Sequence, residues 1–403
     1  MKTQRSVLRK AWLGSAVIAG FGVAALGGAS IAVGASETAT AEHAAFPDVA
    51  PPDRTIAYAF TERMEAVYQA KDKDGKETRE ECANGLNESG AREQFAESFP
   101  QTDGKKWKLA ESHVAREAEI WFPNTGPDKF PFKEVTGKLS YGLNLDGKVK
   151  ASDFTSPDGK VQGIDNQFYR AVGCIASYRE GSSQLLFYEE YLEGKQFNRN
   201  IVELTDVDSL QNDDDVTVTT YRGLDPLVKD AKGDFAANAT QRVDAVFGKD
   251  FIQTFKGRIV NGVLTTAPGP DFVWANENHT DASTEFMRAA RFELHLTPER
   301  MEGVIGGYLD VETGYRAMIK RYGTHQISYG KLAAGSLYKV LRRLADAYPD
   351  PVTGENTAIS SALEVKGASV HLVHPDKKVA DADTGTRPKQ VAANSEQATI
   401  EKR

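Results

Sequence analysis

The stretch RIVNGVL, residues 258–264, carries the clearest fold signal in the chain. The pair Asn261-Gly262 stands between two apolar β-branched runs, and both residue types tolerate the positive φ angles of a two-residue hairpin turn. A second stretch, ARFELHLT at residues 290–297, alternates apolar and polar side chains. Such period-two alternation is typical of a strand with one buried face. Together the two stretches predict antiparallel β structure in the second half of the chain.

Further strands flank these two stretches. Residues 215–221, DVTVTTY, place β-branched side chains on two faces, and residues 303–311, GVIGGYLDV, indicate a glycine-containing strand. Short strands with turn signals about every ten residues are typical of sandwiches and barrels. The strand–helix alternation of a parallel sheet is missing from the pattern. The sequence therefore predicts a mainly β fold, with an antiparallel β-sandwich-like core at residues 136–312 and flanking helical segments.

The regions on either side of this core are predicted to be helical. Residues 56–135 form a helical and irregular N-terminal region, whose first apolar side chains recur at helical spacing: Ile56, Phe60, Met64, Val67 and Tyr68. Residues 313–375 form a helical C-terminal region, in which a second set of positions keeps helical spacing: Leu337, Val340, Leu341, Leu344 and Tyr348. Pro349 should end that helix, and a short strand is expected at residues 368–373.

Residues 1–35 have the layout of a secretory signal peptide. Four basic side chains come first, a long apolar run rich in Gly and Ala follows, and no acidic residue occurs before Glu37. We predict cleavage after Ala35, with Ala41 as a second candidate, and hence a periplasmic or secreted protein. The alternative is a retained membrane anchor, because the run is long enough to span a bilayer. No second run of that length follows, so no integral membrane span is expected after cleavage.

The two ends of the mature chain are polar. Residues 36–55 contain Pro and few apolar side chains, and they are predicted to form a linker. Residues 376–403 are charged with few apolar anchors, which predicts a disordered tail.

The mature chain is strongly acidic, which limits its partners. The formal charge is −8 for the whole chain, and the four basic residues of the leader leave −12 for the remainder. The sequence shows no concentrated basic patch, and pairs such as Lys105-Lys106 and Arg342-Arg343 are isolated. Binding to nucleic acid is not expected, because a phosphate backbone requires a concentrated basic patch.

The chain contains two cysteines, Cys82 and Cys174. An even count in an oxidising compartment predicts a disulfide. By the chain-entropy model a bridge closing a loop of this length stabilises a fold by about 4–5 kcal/mol at most. The alternative is two buried free thiols.

A short internal repeat suggests a cation site. The sequence DGKV occurs at residues 146–149 and again at 158–161, and in each copy an Asp follows seven residues after the first. Ca²⁺ takes several oxygen ligands around a tight turn that glycine permits, so an irregular calcium loop is one interpretation. Its candidate ligands are Asp153, Asp158, Asp165 and Asn166. The alternative is a pair of ordinary Asp-Gly turns, since the first EF-hand ligand place holds Gly142 in one copy and Phe154 in the other.

The segment GIDNQFYRAVGC, residues 163–174, mixes polar and aromatic side chains directly before the second cysteine. Asp165 and Asn166 suit the N-cap of a helix, and Arg170 is expected to pair with Asp165 or another carboxylate. The alternative is that Asn166 and Arg170 face a ligand.

No motif in the sequence is specific enough to name a reaction or a cofactor. The nucleophile motif G-x-S-x-G is missing from the sequence, and the closest histidine pair, His371 and His374, lies on a predicted strand that points the two rings to opposite faces. The sequence therefore favours an exported binding or partner-docking protein, with a small ligand or an envelope protein as its partner. The alternative is an extracytoplasmic hydrolase with a carboxylate pair or metal assembled from distant residues.

Overall fold

The computed structural model describes residues 46, 48, 50–87, 132–179, 192–194, 199–246, 249, 251–278, 281–318 and 334–375. All of them belong to one compact unit within residues 45–403. The predicted leader and the predicted tail lie outside the described residues, as does most of the predicted linker.

The described residues form thirteen strands and three α-helices. The strands are β1 (Ile56–Glu65), β2 (Phe154–Thr155), β3 (Gln162–Ile164), β4 (Arg199–Thr205), β5 (Asn212–Gly223), β6 (Ala239–Arg242), β7 (Gln253–Val260), β8 (Val263–Thr266), β9 (Phe272–Asn278), β10 (Asp281–Leu296), β11 (Arg300–Asp310), β12 (Ala347–Pro349) and β13 (Asn356–Val373). The helices are α1 (Gln167–Val172), α2 (Val311–Met318) and α3 (Ala334–Leu344).

Eight of the strands form a closed, barrel-like sheet. Strands β1, β4, β5, β7, β8, β10, β11 and β13 pair in that order, and β13 pairs back onto β1. Every pairing around this ring is antiparallel. The prediction of a mainly antiparallel β protein is confirmed. The predicted sandwich-like core is compatible with this sheet. Because β13 pairs back onto β1, neither of these two strands leaves an unpaired edge.

The hairpin predicted at residues 258–264 is confirmed as the β7–β8 turn. Asn261 and Gly262 adopt φ angles of 51° and 79°, as a two-residue hairpin turn requires. The alternation along β10 is confirmed as well, because Phe292, Leu294 and Leu296 are buried while Glu293 is exposed.

Side chains fill the barrel interior. Three of its phenylalanine rings, Phe255, Phe272 and Phe292, contact one another edge to face with centroids 4.9–5.9 Å apart. Tyr58 and Phe60 of β1 join the same hydrophobic cluster. The inner face of the sheet is therefore a packed core.

The helix predicted at the start of residues 56–135 is wrong, because this stretch is strand β1. Tyr58 and Phe60 face the interior cluster, whereas Ala57 and Ala59 belong to a second cluster on the outer face. With apolar residues on both faces, the stretch lacks the alternation that marks a half-buried strand. A register shift between Phe60 and Glu62 disturbs the period further.

The C-terminal region is partly helical, as predicted. Leu337, Val340 and Leu341 are buried on α3, but Tyr348 lies in β12. The strand expected at residues 368–373 is much longer, since β13 begins at Asn356 and supplies a central strand of the barrel. Its apolar residues are buried on both sides, which hid the period-two pattern.

Helices and loops cover two parts of the outer barrel wall. The three helices and residues 132–179 pack over β11 and β13 through a cluster that includes Leu309 and Ile359. Leu227, Phe235 and their neighbours cover β1, β4 and the end of β13. None of the described helices is both long and apolar enough to cross a membrane.

Candidate functional site

The loops before α1 lie across the outer wall of β11. A Cβ atom on Gly306 would approach Leu143 Cδ1 to 3.1 Å and Leu145 Cδ2 to 3.2 Å, so only glycine admits this contact without displacement. Within the loops, Gly163 has a φ of 76°, and a Cβ there would meet the Lys148 carbonyl oxygen at 2.2 Å. These close approaches bring the polar side chains of residues 144–166 onto the sheet.

A β-bulge places two arginines of β10 on the same outer face. Arg288 pairs with Tyr308 and Arg291 with Gly306, so three steps along β10 match two steps along β11. Residues three apart on a regular strand point to opposite faces. The extra residue of the bulge turns Arg288 and Arg291 to the same face. Ala289 absorbs the irregularity with a φ of 48°, which is unusual for a residue other than glycine.

The two arginines lie beside Tyr308, and together they define a polar group that we call the Tyr308 cluster. It comprises Asp146, Lys150, Asp165, Arg288, Arg291, Tyr308, Asp346 and Tyr348. Burial raises the pKa of the Tyr308 phenol, and the negative charges of Asp165, Asp346 and Asp146 raise it further, while Arg291 lowers it. The Tyr308 and Tyr348 rings meet edge to face at 5.7 Å, and the Arg288 guanidinium lies 4.9 Å from the Tyr348 ring centroid.

Asp165 is the buried carboxylate of this cluster, with only 1% of the residue exposed. Its Oδ2 accepts backbone hydrogen bonds from Leu145 at 2.7 Å and Asp146 at 3.2 Å, and its Oδ1 lies 3.9 Å from Lys150 Nζ. Burial raises the pKa of the Asp165 carboxyl, although the two backbone donors and Lys150 oppose this shift. Asp146 forms an ion pair with the same lysine.

Asp346 connects the cluster to β13 and α1. Its Oδ1 and Oδ2 each lie 2.7 Å from a donor of Ser360, the backbone N–H and the hydroxyl respectively. The Ser360 hydroxyl oxygen also accepts a 3.0 Å bond from the Gln167 backbone N–H. Burial raises the pKa of the Asp346 carboxyl, and the Ser360 bonds oppose this shift.

Asn166 is the N-cap of α1, as the sequence predicted. Its Oδ1 accepts a 3.2 Å bond from the Tyr169 backbone N–H. Its Nδ2 lies within hydrogen-bonding distance of the Ala66 carbonyl at 3.2 Å, the Ser140 hydroxyl at 3.1 Å and the Tyr141 carbonyl at 3.0 Å. Its side chain thus joins two separate segments to the start of the helix. Its role as a ligand-facing residue stays a prediction.

Arg170 makes contacts other than the expected pair with Asp165. Its guanidinium donates to the Gln167 side chain at 3.0 Å, to the Val135 carbonyl at 3.2 Å and to the Ser152 carbonyl at 2.8 Å. It also lies 4.2 Å from the centroid of the Phe154 ring. These contacts fasten α1 to the preceding loops, and a ligand contact at Arg170 stays a prediction.

The two DGKV copies adopt the same turn. Oδ1 of Asp146 accepts from the Lys148 backbone N–H at 2.9 Å, and Oδ1 of Asp158 accepts from that of Lys160 at 3.1 Å. The turn glycines have φ angles of 72° and 75°. The Ser156 hydroxyl and the Lys160 backbone lower the pKa of Asp158 to about 2. The repeat is thus a pair of Asp-Gly turns in the structure.

The four predicted calcium ligands occupy different settings. Asp165 and Asn166 are buried, Asp158 lies in the second turn, and Asp153 accepts a 2.6 Å bond from the Lys150 backbone N–H. Within the described part of the chain, no three or more His, Cys, Asp or Glu side chains form a group that could hold a metal ion. The calcium site therefore stays a prediction.

The predicted disulfide between Cys82 and Cys174 is present, with Cα atoms 5.8 Å apart. Both cysteines are buried in the cluster that joins residues 67–86 to α1.

A second polar group lies just beyond the end of β13. His374 Nε2 and Glu203 Oε1 are 2.9 Å apart, and the Tyr221 and His374 rings meet edge to face at 5.1 Å. Burial and the Glu203 charge raise the pKa of Tyr221 to about 12. The sequence pattern could not indicate Glu203 as a partner of His374.

Comparison with known protein families, curated proteins and solved structures finds no match to this chain. The site is therefore defined by its geometry alone. The sequence pattern indicated Asp165 only as a candidate calcium ligand or helix cap, and it did not indicate Arg288, Arg291, Tyr308 or Asp346. The one available signal was Gly306-Gly307 beside Tyr308, because paired glycines in a strand mark a close approach of another segment.

Proposed function

We propose that the protein is exported to the periplasm or the cell exterior and binds a small polar ligand at the Tyr308 cluster. One observation carries the proposal. The Tyr308 hydroxyl makes no hydrogen bond to any described residue, although the charges of three aspartates and Arg291 act on the pKa of its phenol. A partly buried phenol normally finds a hydrogen-bond partner, and a ligand would supply one here.

The packing of the barrel supports an outer site. The interior holds mutually contacting phenylalanine rings, so a polar ligand would have to displace core side chains to enter. The outer wall of β10 and β11 instead offers aromatic and charged groups side by side. Binding sites typically combine an apolar lining with a few well-placed polar groups.

The cysteine pair supports the proposed compartment. Disulfides persist in the periplasm and outside the cell but are rare in the cytosol, and Cys82 and Cys174 are bonded in this protein. The basic and apolar leader at residues 1–35 is consistent with the same compartment.

The binding proposal is tested by ligand-observed NMR with a mixture of neutral sugars, amino acids, polyamines and dicarboxylates. We expect at least one component to show saturation transfer from the wild type and to lose it with Tyr308→Phe. The matched control is Tyr221→Phe, which removes a phenol hydroxyl from the other side of the barrel and should leave binding intact. Equal binding by both variants would place the ligand elsewhere.

A hydrolase is the second candidate function, and one observation favours it. Burial raises the pKa of both Asp165 and Asp346, two carboxyls that the fold brings to one phenol. A raised pKa favours the protonated form, and a protonated carboxyl can act as a general acid. Release of nitrophenol from nitrophenyl glycosides tests this function. Turnover that Asp346→Asn abolishes and Asp350→Asn preserves would establish it, whereas binding without turnover favours the binding protein.

A further inference from the structure

We infer that the ligand of the Tyr308 cluster is a neutral, hydroxyl-rich molecule of the saccharide class. This inference rests on the proposed function, and it adds the chemical class of the ligand.

The charges around Tyr308 disfavour an ionic ligand. Lys150 pairs with Asp146, and Arg288 pairs with Asp310 at 3.0 Å. Lys150 Nζ also lies 3.9 Å from Asp165 Oδ1. The charges of Arg291 and of the aspartates act on the Tyr308 phenol with opposite signs. An anionic ligand would meet carboxylates and a cationic one would meet guanidinium groups, so neither sign gains a clear advantage.

The cluster offers both hydrogen-bond donors and acceptors. The Tyr308 hydroxyl can both donate and accept. Arg291 donates to the carbonyls of Asn144 and Leu145, while its buried Nε has no hydrogen-bond partner among the described residues. A sugar hydroxyl also both donates and accepts, so adjacent hydroxyls can satisfy such a mixed set. An ammonium group only donates, and a carboxylate only accepts.

Two aromatic rings of the cluster provide a surface on which a sugar ring can pack. Tyr308 and Tyr348 meet edge to face, and Tyr348 is 39% exposed. An aromatic face carries negative charge density, which attracts the weakly positive C–H groups on the apolar face of a sugar ring. Tyr348 holds a φ of 57° and Ala289 a φ of 48°, so two strained non-glycine residues flank the cluster. Such strain concentrates at functional sites.

Separate ligand-observed NMR titrations with single probes test the inference. The probes are methyl glucoside, methyl galactoside and N-acetylglucosamine as neutral saccharides, spermidine as a cation, and citrate as an anion. We expect at least one saccharide to bind the wild type at millimolar concentration. Tyr308→Phe should weaken that binding about tenfold, the loss expected for one neutral hydrogen bond. Tyr221→Phe should leave it unchanged.

A second variant keeps the test valid if Tyr308→Phe fails to fold, as judged by circular dichroism. Tyr348→Ala changes a more exposed side chain and should also weaken saccharide binding several-fold, through loss of the aromatic contact. Binding of spermidine or citrate alone, lost in both variants, would overturn the saccharide class but leave the proposed function standing. Saccharide binding that neither variant changes would overturn both. No binding of any saccharide would overturn the inference.

Discussion

Arg179 and Glu81 form an ion pair in which both side chains are almost completely shielded from solvent, at 4% and 3% exposure. The Arg179 guanidinium also donates to the Gly173 carbonyl at 2.7 Å and lies 3.5 Å from Sγ of Cys82. The pair therefore packs against the disulfide. It joins the segment that ends at Cys82 to the end of α1. A buried pair of this kind leaves a costly isolated charge when one partner is removed.

Arg179→Met should lower the free energy of unfolding by about 3–5 kcal/mol, because Glu81 would remain buried without its counter-charge. Urea denaturation under non-reducing conditions measures this change. Lys256→Met is the control, since Lys256 and Asp215 form an ion pair at 63% and 77% exposure, and its loss should cost less than about 1 kcal/mol. Equal effects of the two substitutions would contradict the structural role of the buried pair.

Asn166→Ala should destabilise the fold by about 2–4 kcal/mol, because it removes the N-cap of α1 and leaves buried carbonyls without a donor. Asn166→Ser separates the contribution of the N-cap from that of the hydrogen bonds to the buried carbonyls. The serine hydroxyl can restore the cap but cannot reach all the acceptors of the amide, so this variant should recover about 1 kcal/mol. Thermal and urea unfolding measure both. An alanine variant as stable as the wild type would show that the amide contacts carry no net stability.

Asp346 should give the fold a defined pH dependence. Its pKa is raised above the ordinary value of 3.8, so its contribution to stability is present below that value and is lost as the pH rises through the folded-state pKa. The free energy of unfolding of the wild type minus that of Asp346→Asn should therefore fall as the pH rises above the ordinary value of 3.8. A difference that is flat or rises over this range would contradict the assignment.

Asp350→Asn provides the control for this pH series. Backbone N–H groups of Thr353 and Val352 lower the pKa of the Asp350 carboxyl. Its contribution is therefore complete above the ordinary value and is lost only at lower pH. The corresponding difference should stay nearly flat over the range in which that of Asp346→Asn falls.

The calcium prediction requires a higher melting temperature in Ca²⁺ than in a chelator, because a cation that binds only the folded state stabilises it. Asp158→Asn should remove that increase if Asp158 is a ligand, and Asp350→Asn should keep it. An unchanged melting temperature of the wild type would eliminate the calcium site. The two Asp-Gly turns would then account for the repeat through their backbone hydrogen bonds alone.

The export prediction concerns the mature chain in its own cells. The intact mass of protein from the periplasm or medium should correspond to cleavage after Ala35, with Ser36 as the first residue. Thiol titration of this denatured but unreduced protein should find no free thiol, in agreement with the Cys82–Cys174 bond. An unprocessed cytosolic chain with two reactive thiols would contradict both expectations.

Local sequence patterns predicted one feature near the candidate site but not the site itself. The Asn166 cap could be predicted, because an N-cap depends on a side chain and a backbone N–H three residues away. The Tyr308 cluster could not, because its members come from separate loops and strands. The bulge at Ala289 is needed to turn Arg288 and Arg291 to one face, and simple alternation assigns them to opposite faces.

By itself the sequence determined the β7–β8 hairpin, the inward face of β10 and the packing face of α3. Each of these depends on neighbours within a few residues, through turn φ angles or through the contrast between a buried and an exposed face. Only the tertiary structure decided that β1 is a strand, that β13 begins as early as Asn356, and that the two strands pair to close the barrel. Both strands bury apolar residues on two faces, so neither shows the alternation of apolar and polar residues that marks a half-buried strand. Their backbones form hydrogen bonds with each other although the two segments lie some 300 residues apart in the sequence.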